Sequence, residues 1–185
     1  MSNNRLIVTM ESKITTSHMS ATVPQLWDES TDRCAPFDQY GSDDMHRDPS
    51  DLISAVRDAY GKELDIRDSG HRLIVHKGCY ILNSWGFQPE YGYRRYVRGP
   101  YSEELAEDMA ETWGNGRDTT IPSDTVGRLS GILRKGEDHI VAYATLLMVK
   151  NNNPSVDRMT VIRKAIGIKP GLEKEILEAS EEIFE

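Results

Sequence analysis

From Ile140 to Val149 the chain reads IVAYATLLMV, ten positions without a single charged side chain. In a helix these positions are apolar around the whole circumference rather than along one stripe, so such a helix belongs in an interior. The run is about half as long as a membrane span requires. The segment Glu137 to Lys150 is therefore expected to be the central helix of a folded core, ended by Asn151-Asn152-Asn153-Pro154.

The surrounding sequence is amphipathic and well punctuated. Asp48 is a natural N-cap for a helix with Pro49 in its first turn and Asp51 at the positive end of its dipole. Leu52, Val56 and Ala59 share a face with Ile53 and Tyr60, and Gly61 stops it. A second helix carries Ile74, Gly78, Ile81 and Trp85 at helical spacing, with Ser69 expected as its cap and Gly86 closing it. Ser102 is placed to cap a third, with Glu103 and Glu104 in its first turn and Leu105, Met109 and Trp113 inward, up to Gly114 and Gly116. Further helices are expected from Asp124 to Lys135 with Ser123 as cap, from Val156 to Ile166, and over the last residues, with Leu172, Ile176, Ala179 and Ile183 inward. The fold class is mainly α: a compact single-domain bundle of six or seven helices with a few short extended segments. Residues 1–47 read as a partly irregular arm, with a short strand at Arg5 to Met10 and Trp27, Phe37 and Tyr40 as anchors. The helical domain occupies residues 48–185.

One stretch departs from the overall composition. The formal charge is −8, yet Tyr91 to Tyr101 holds three arginines, four of the eight tyrosines and no acid. In an extended chain Tyr91, Tyr93 and Val97 point one way, and Arg94, Tyr96 and Arg98 the other. Gly99-Pro100 reads as the turn, and Tyr96 and Tyr101 are expected to bury their rings in the core. Arg94, Arg95 and Arg98 are not needed to fold a turn; with Tyr91 and Tyr93 they form the candidate partner-binding surface. Lys77, beside the apolar stripe of its helix, is expected to snorkel to solvent.

Catalytic and metal signatures do not emerge. His71 and His76 are five apart and do not share a helix face, and Asp138-His139 reads as the first turn of the apolar helix. Cys34 and Cys79 form neither a CxxC nor a CxxH pair, so free thiols in a reducing cytoplasm are expected. The N-terminus lacks the basic-then-apolar pattern of a signal peptide. No enzyme activity, cofactor, metal or membrane association is expected, and the oligomeric state is left open.

The stretch His71 to Met109 resembles the YwgA-like and Panacea (SocA-like, phage-associated) family. Lys77, Tyr80 and Leu82 match its helix, followed by Gly86. Tyr91, Tyr96, Gly99, Pro100, Tyr101, Ser102 and Leu105 match its aromatic loop ending in GPYS. The helix around Tyr143 to Val149 and Lys169-Pro170 are similar to its second half. Lys77, Tyr80, Tyr96, Gly99, Pro100, Tyr101, Ser102 and Leu105 are thus the expected structural motif. His76 replaces the family's glutamine, and Gly78 and Cys79 stand where bulkier apolar residues are usual.

The resemblance implies protein–protein interaction rather than catalysis. Some members look like antitoxins that neutralise a toxin, and one is a proteolytic adaptor. A related domain, fused to macrodomain antitoxins of DNA ADP-ribosylating systems, occupies its toxin's DNA site. The expectation is a non-enzymatic module, antitoxin- or adaptor-like, that inhibits or delivers a toxin or defence effector. The acidic last helix, with Glu173, Glu175, Glu178, Glu181, Glu182 and Glu185, offers a surface that imitates nucleic acid toward a basic partner. The alternative expectation is a nucleic-acid-binding regulator that uses the Tyr/Arg loop.

Overall fold

The computed structural model describes residues 48–114 and 118–185. The strand expected at Arg5 to Met10, the anchors Trp27, Phe37 and Tyr40, Cys34 and Gly116 lie outside the described residues. Within them the architecture is mainly helical, as expected: seven α-helices and one two-stranded antiparallel sheet. The order is α1 (Pro49–Tyr60), α2 (Ser69–Ser84), β1 (Arg94–Tyr96), β2 (Gly99–Tyr101), α3 (Glu103–Thr112), α4 (Ser123–Leu133), α5 (Glu137–Asn151), α6 (Arg158–Ile168) and α7 (Glu173–Ile183). A single 3-10 turn, Pro170–Leu172, precedes α7.

The apolar helix is α5. Every residue from His139 to Val149 is buried, because α2, α4, α6, α7 and β2 surround it. Burying a Leu, Ile, Val or Met side chain is worth roughly 1.5–3 kcal/mol, so α5 supplies much of the driving force for assembly. Its neighbour α2 is buried without a break from Leu73 to Leu82. On one side of this pair α1 packs against α3 and α4; on the other α6 and α7 pack against α5 and each other.

Helix ends follow the expected chemistry with three adjustments. Asp48 caps α1, accepting from the Ser50 N–H at 3.0 Å, and Gly61 ends it in the left-handed region at φ +67°. At α2 the cap is Asp68, whose Oδ1 accepts from the His71 N–H at 2.9 Å, while Ser69 is already helical. Ser123 likewise lies inside α4, which has no side-chain cap. The sixth helix starts at Arg158 rather than Val156, because the Asp157 carboxylate accepts from the Thr160 N–H at 3.1 Å. A carboxylate accepts more strongly than a hydroxyl and suits the positive helix end, which is why the neighbouring aspartate takes the position.

Two tertiary contacts hold α1 in place. The buried Asp51 accepts from Thr119 Oγ1 at 2.9 Å, the Thr120 N–H at 2.5 Å and Thr120 Oγ1 at 2.7 Å, pinning the segment before α4 onto α1. At Gly78 the helices come closer than a side chain permits. A Cβ there would lie 2.6 and 2.8 Å from the two methyl groups of Val56. This contact accounts for the glycine at position 78.

Gly78→Ala is expected to destabilise the fold by about 1–3 kcal/mol through overpacking, despite alanine's better helix propensity. Gly131→Ala, at a helical position with open space around it, is expected to stabilise by about 0.5–1 kcal/mol. Urea denaturation of both variants checks the pair. Loss of the Gly78→Ala penalty in a Val56→Ala background would tie it to this contact.

Candidate functional site

The Tyr/Arg stretch forms a hairpin, β1 paired with β2 in the register Arg94↔Tyr101, Arg95↔Pro100 and Tyr96↔Gly99. The turn is therefore Val97-Arg98, not Gly99-Pro100 as expected. Gly99 and Pro100 form the buried inner strand, and Gly99 has φ +91°. Its backbone lies so close to α2 and α5 that a Cβ would sit 3.3 Å from both Lys77 Cε and Thr145 Oγ1. Glycine is required here twice, for the left-handed backbone and for the approach. Ser102 closes the hairpin as expected, its Oγ accepting from the Leu105 N–H at 3.3 Å to cap α3.

The tyrosines distribute differently from the strand alternation. Tyr93, expected on the partner surface, is 4% exposed; its ring meets Tyr80 edge-on at 4.8 Å and its hydroxyl donates to Asn83 Oδ1 at 3.0 Å. Tyr91 is half-buried, donating to Asp108 Oδ2 at 2.8 Å. Both lie before β1, where Asn83 organises the connection: its Nδ2 also donates to the Phe87 and Pro89 carbonyls at 2.7 and 2.6 Å. Tyr96, expected in the core, is 65% exposed, and Val97 is 78% exposed. A two-residue turn projects its tip away from the body, which overrides the alternation. Arg94, Arg95 and Arg98 are all exposed, as a partner surface requires. Arg98 is ion-paired to Glu137.

Lys77 does not snorkel. It is 3% exposed, with Nζ donating to the Pro100 carbonyl at 2.5 Å. The hairpin lies over its side of α2 and leaves it almost no contact with water. Among the described residues Lys77 has no ion-pair partner. Burial, reinforced by the nearby cations Lys169 and Arg98, lowers its pKa to about 7. Lys169 in turn donates Nζ to the Val97 carbonyl, tethering the turn. His76, beside Lys77, stacks on Tyr101 with ring centroids 4.5 Å apart. Burial, followed by Lys77 and Arg72, lowers its pKa to about 4. Its Nδ1 is buried without a hydrogen-bond partner, as is the Thr145 hydroxyl.

Between the hairpin, the first half of α2 and α3 runs an open cleft of about 320 Å³, lined by Ile66, Ser69, Arg72, Leu73, His76, Lys77, Tyr96, Val97, Arg98, Gly99, Tyr101, Ala106 and Met109. Of these, Arg72 and His76 were not anticipated as site residues. The visible signal was positional: His76 and Lys77 interrupt an otherwise apolar helix face.

The acidic last helix is less open than its composition implies. Glu181 pairs with Arg158 and Glu182 with Lys135, at 2.6 Å in the second case. Glu178 lies 3.7 Å from Lys174. Among the described residues no group of three or more His, Cys, Asp or Glu is placed to hold a metal ion. Nor is any helix long and apolar enough to cross a membrane. Cys79 is a free buried thiol whose pKa burial pushes up. No family model, curated protein or solved structure matches the chain.

The buried lysine makes stability depend on pH with a definite sign. Its folded pKa is below its unfolded one, so between about pH 7 and the ordinary lysine value of 10.5 the unfolded chain holds a proton that the folded chain lacks. Stability from this group therefore rises with pH across that window, by at most about 1.4 kcal/mol per unit, and is flat below it. Lys77→Met is expected to be more stable than wild type at pH 7, by on the order of 1–3 kcal/mol after the lost Pro100 hydrogen bond is offset. That advantage should shrink toward pH 10, read as the difference between urea midpoints at pH 7, 8.5 and 10.

Proposed function

We propose that this chain is a protein-interaction module whose working surface is the β1–β2 hairpin. The observation that carries this reading is the tip itself. Tyr96 and Val97 stand in solvent where they add little to the fold, and they are flanked by the exposed guanidinium groups of Arg94, Arg95 and Arg98. Aromatic and arginine side chains grouped on a rigid projection are the composition of an interface centre. The projection is held because Lys77 and the close approach at Gly99 fasten β2 to the core and Lys169 fastens the turn. The partner that fits is a protein presenting an apolar pocket rimmed by acid. The likeness of residues 71–109 to the YwgA-like and Panacea family points the same way, toward an antitoxin- or adaptor-like, non-enzymatic role on a toxin or defence effector.

Nucleic-acid mimicry by α7 receives less support, since Glu178, Glu181 and Glu182 face basic side chains of the same chain. Nucleic-acid binding by the hairpin is the second reading, favoured by the arginines at one tip. Against it, Arg98 is neutralised by Glu137 and Lys169 is engaged with the turn.

The test is a nuclease-treated capture from native lysate, followed by reconstitution with the purified partner. The comparison is between wild type, Arg94→Ala/Arg95→Ala and Tyr96→Ser/Val97→Ser. A single protein at near-stoichiometric yield is expected, with affinity reduced at least about 30-fold in the Tyr96/Val97 variant and an unchanged thermal midpoint. Full retention by both variants would move the interface off the hairpin. Capture of DNA or RNA instead, with a salt slope shallower in the arginine variant, would favour the second reading.

A further inference from the structure

The cleft behind the hairpin has a property independent of its tip. In a chain of formal charge −8, its lining contains no Asp or Glu but three cations, Arg72, Lys77 and Arg98. Arg72 donates to the Ile66 and Arg67 carbonyls and Arg98 pairs with Glu137. Lys77 is the buried one of the three. Its ammonium has three donors, one of them engaged with Pro100, and its charge has no counter-charge among the described residues. A lysine 3% exposed without a counter-ion is costly to keep charged. His76 beside it, 4% exposed, carries a buried Nδ1 with no partner. The rest of the cleft is largely apolar, with Leu73, Val97 and Met109 among its walls.

We propose that this cleft binds a small amphiphilic carboxylate, its apolar body against Leu73, Val97 and Met109 and its charged end at Lys77. A cation would be repelled, and a neutral apolar ligand would leave Lys77 unpaired. A phosphate dianion would bring more charge to desolvate than one buried lysine offsets. The volume is at the small end of the range for ligand pockets, matching a compact ligand. The same chemistry is presented by a free short-chain acid and by an apolar C-terminal residue with its terminal carboxylate.

Binding is linked to protons. The groups facing Lys77 are Arg72 and His76 on its own helix, Tyr101 and the Arg98–Glu137 pair from the hairpin side, Thr145 from α5, and Lys169 after α6, with Arg95 beyond it. With a pKa of about 7, Lys77 is mostly neutral at pH 8, and an entering carboxylate raises its pKa and draws in a proton. His76, at about 4, stays neutral throughout.

The experiment is calorimetric titration of the purified wild-type chain with octanoate at pH 8, in phosphate and in Tris, with octanol as the neutral probe. The expected result is one-to-one binding with uptake of most of one proton per octanoate. Affinity should fall by up to tenfold per pH unit above 7, and octanol should bind at least tenfold more weakly. In Lys77→Met the proton uptake disappears while octanol binding persists. A short peptide ending in leucine is run as the free acid and as the amide. Octanoate alone binding assigns the free acid as ligand, and tighter binding of the free-acid peptide, lost in the amide, assigns a chain terminus. Octanol binding as tightly as octanoate, octanoate binding without proton uptake, or binding by neither acid overturns the proposal. The titration involves no protein partner, so its failure leaves the hairpin reading standing, and the converse holds.

Discussion

An interior helix with no polar face must be covered on every side, and that requirement organises this protein. From His139 to Val149 every residue of α5 is buried. Four helices cannot close around it completely, and the short inner strand Gly99–Tyr101 covers the remainder, alongside both α2 and α5. The hairpin is therefore part of the core on one face and free on the other. Its dual character follows from geometry: Gly99 and Pro100 are buried while Tyr96 and Val97, a few residues away, are exposed.

That covering role also explains the buried lysine. Lys77 would reach water easily on an open α2, but the strand that seals α5 also seals Lys77, and the Pro100 carbonyl is the acceptor it meets. The result is an amine whose charge is suppressed by burial and by Lys169 and Arg98. A neutral or anion-seeking lysine beneath an arginine-rich projection makes the hairpin a place where two kinds of recognition adjoin. The tip offers contacts to a large surface, and the cleft behind it offers one charge in an apolar setting.

Local signals were legible wherever they depended on neighbours in sequence. The Asp48 cap, the Gly61 stop, the Ser102 cap and the interior α5 were all readable, because capping and periodicity operate within a turn or two of helix. Capping competition was misread at Ser69 and Ser123. At the first, an adjacent aspartate takes the position; at the second, no side chain caps at all. In the candidate site, the exposure of Arg94, Arg95 and Arg98 was anticipated. The roles of Tyr91, Tyr93 and Tyr96 were not, because alternation along a strand presumes that the strand continues. Here it turns after Tyr96, and the residues before Arg94 are held by Asn83 and Asp108 instead.

By itself, then, the sequence determined the helical class, the central element and the presence of a basic, aromatic turn in an acidic chain, since these rest on periodicity, capping and composition. Only the tertiary structure decided which side of that turn is buried, that Lys77 lies beneath it, and that Arg72, His76 and Met109 share a cleft with it. Those facts depend on contacts such as Lys77 with Pro100, 23 positions away, and Thr145 with Gly99. A burial imposed by a distant segment leaves no local pattern to read.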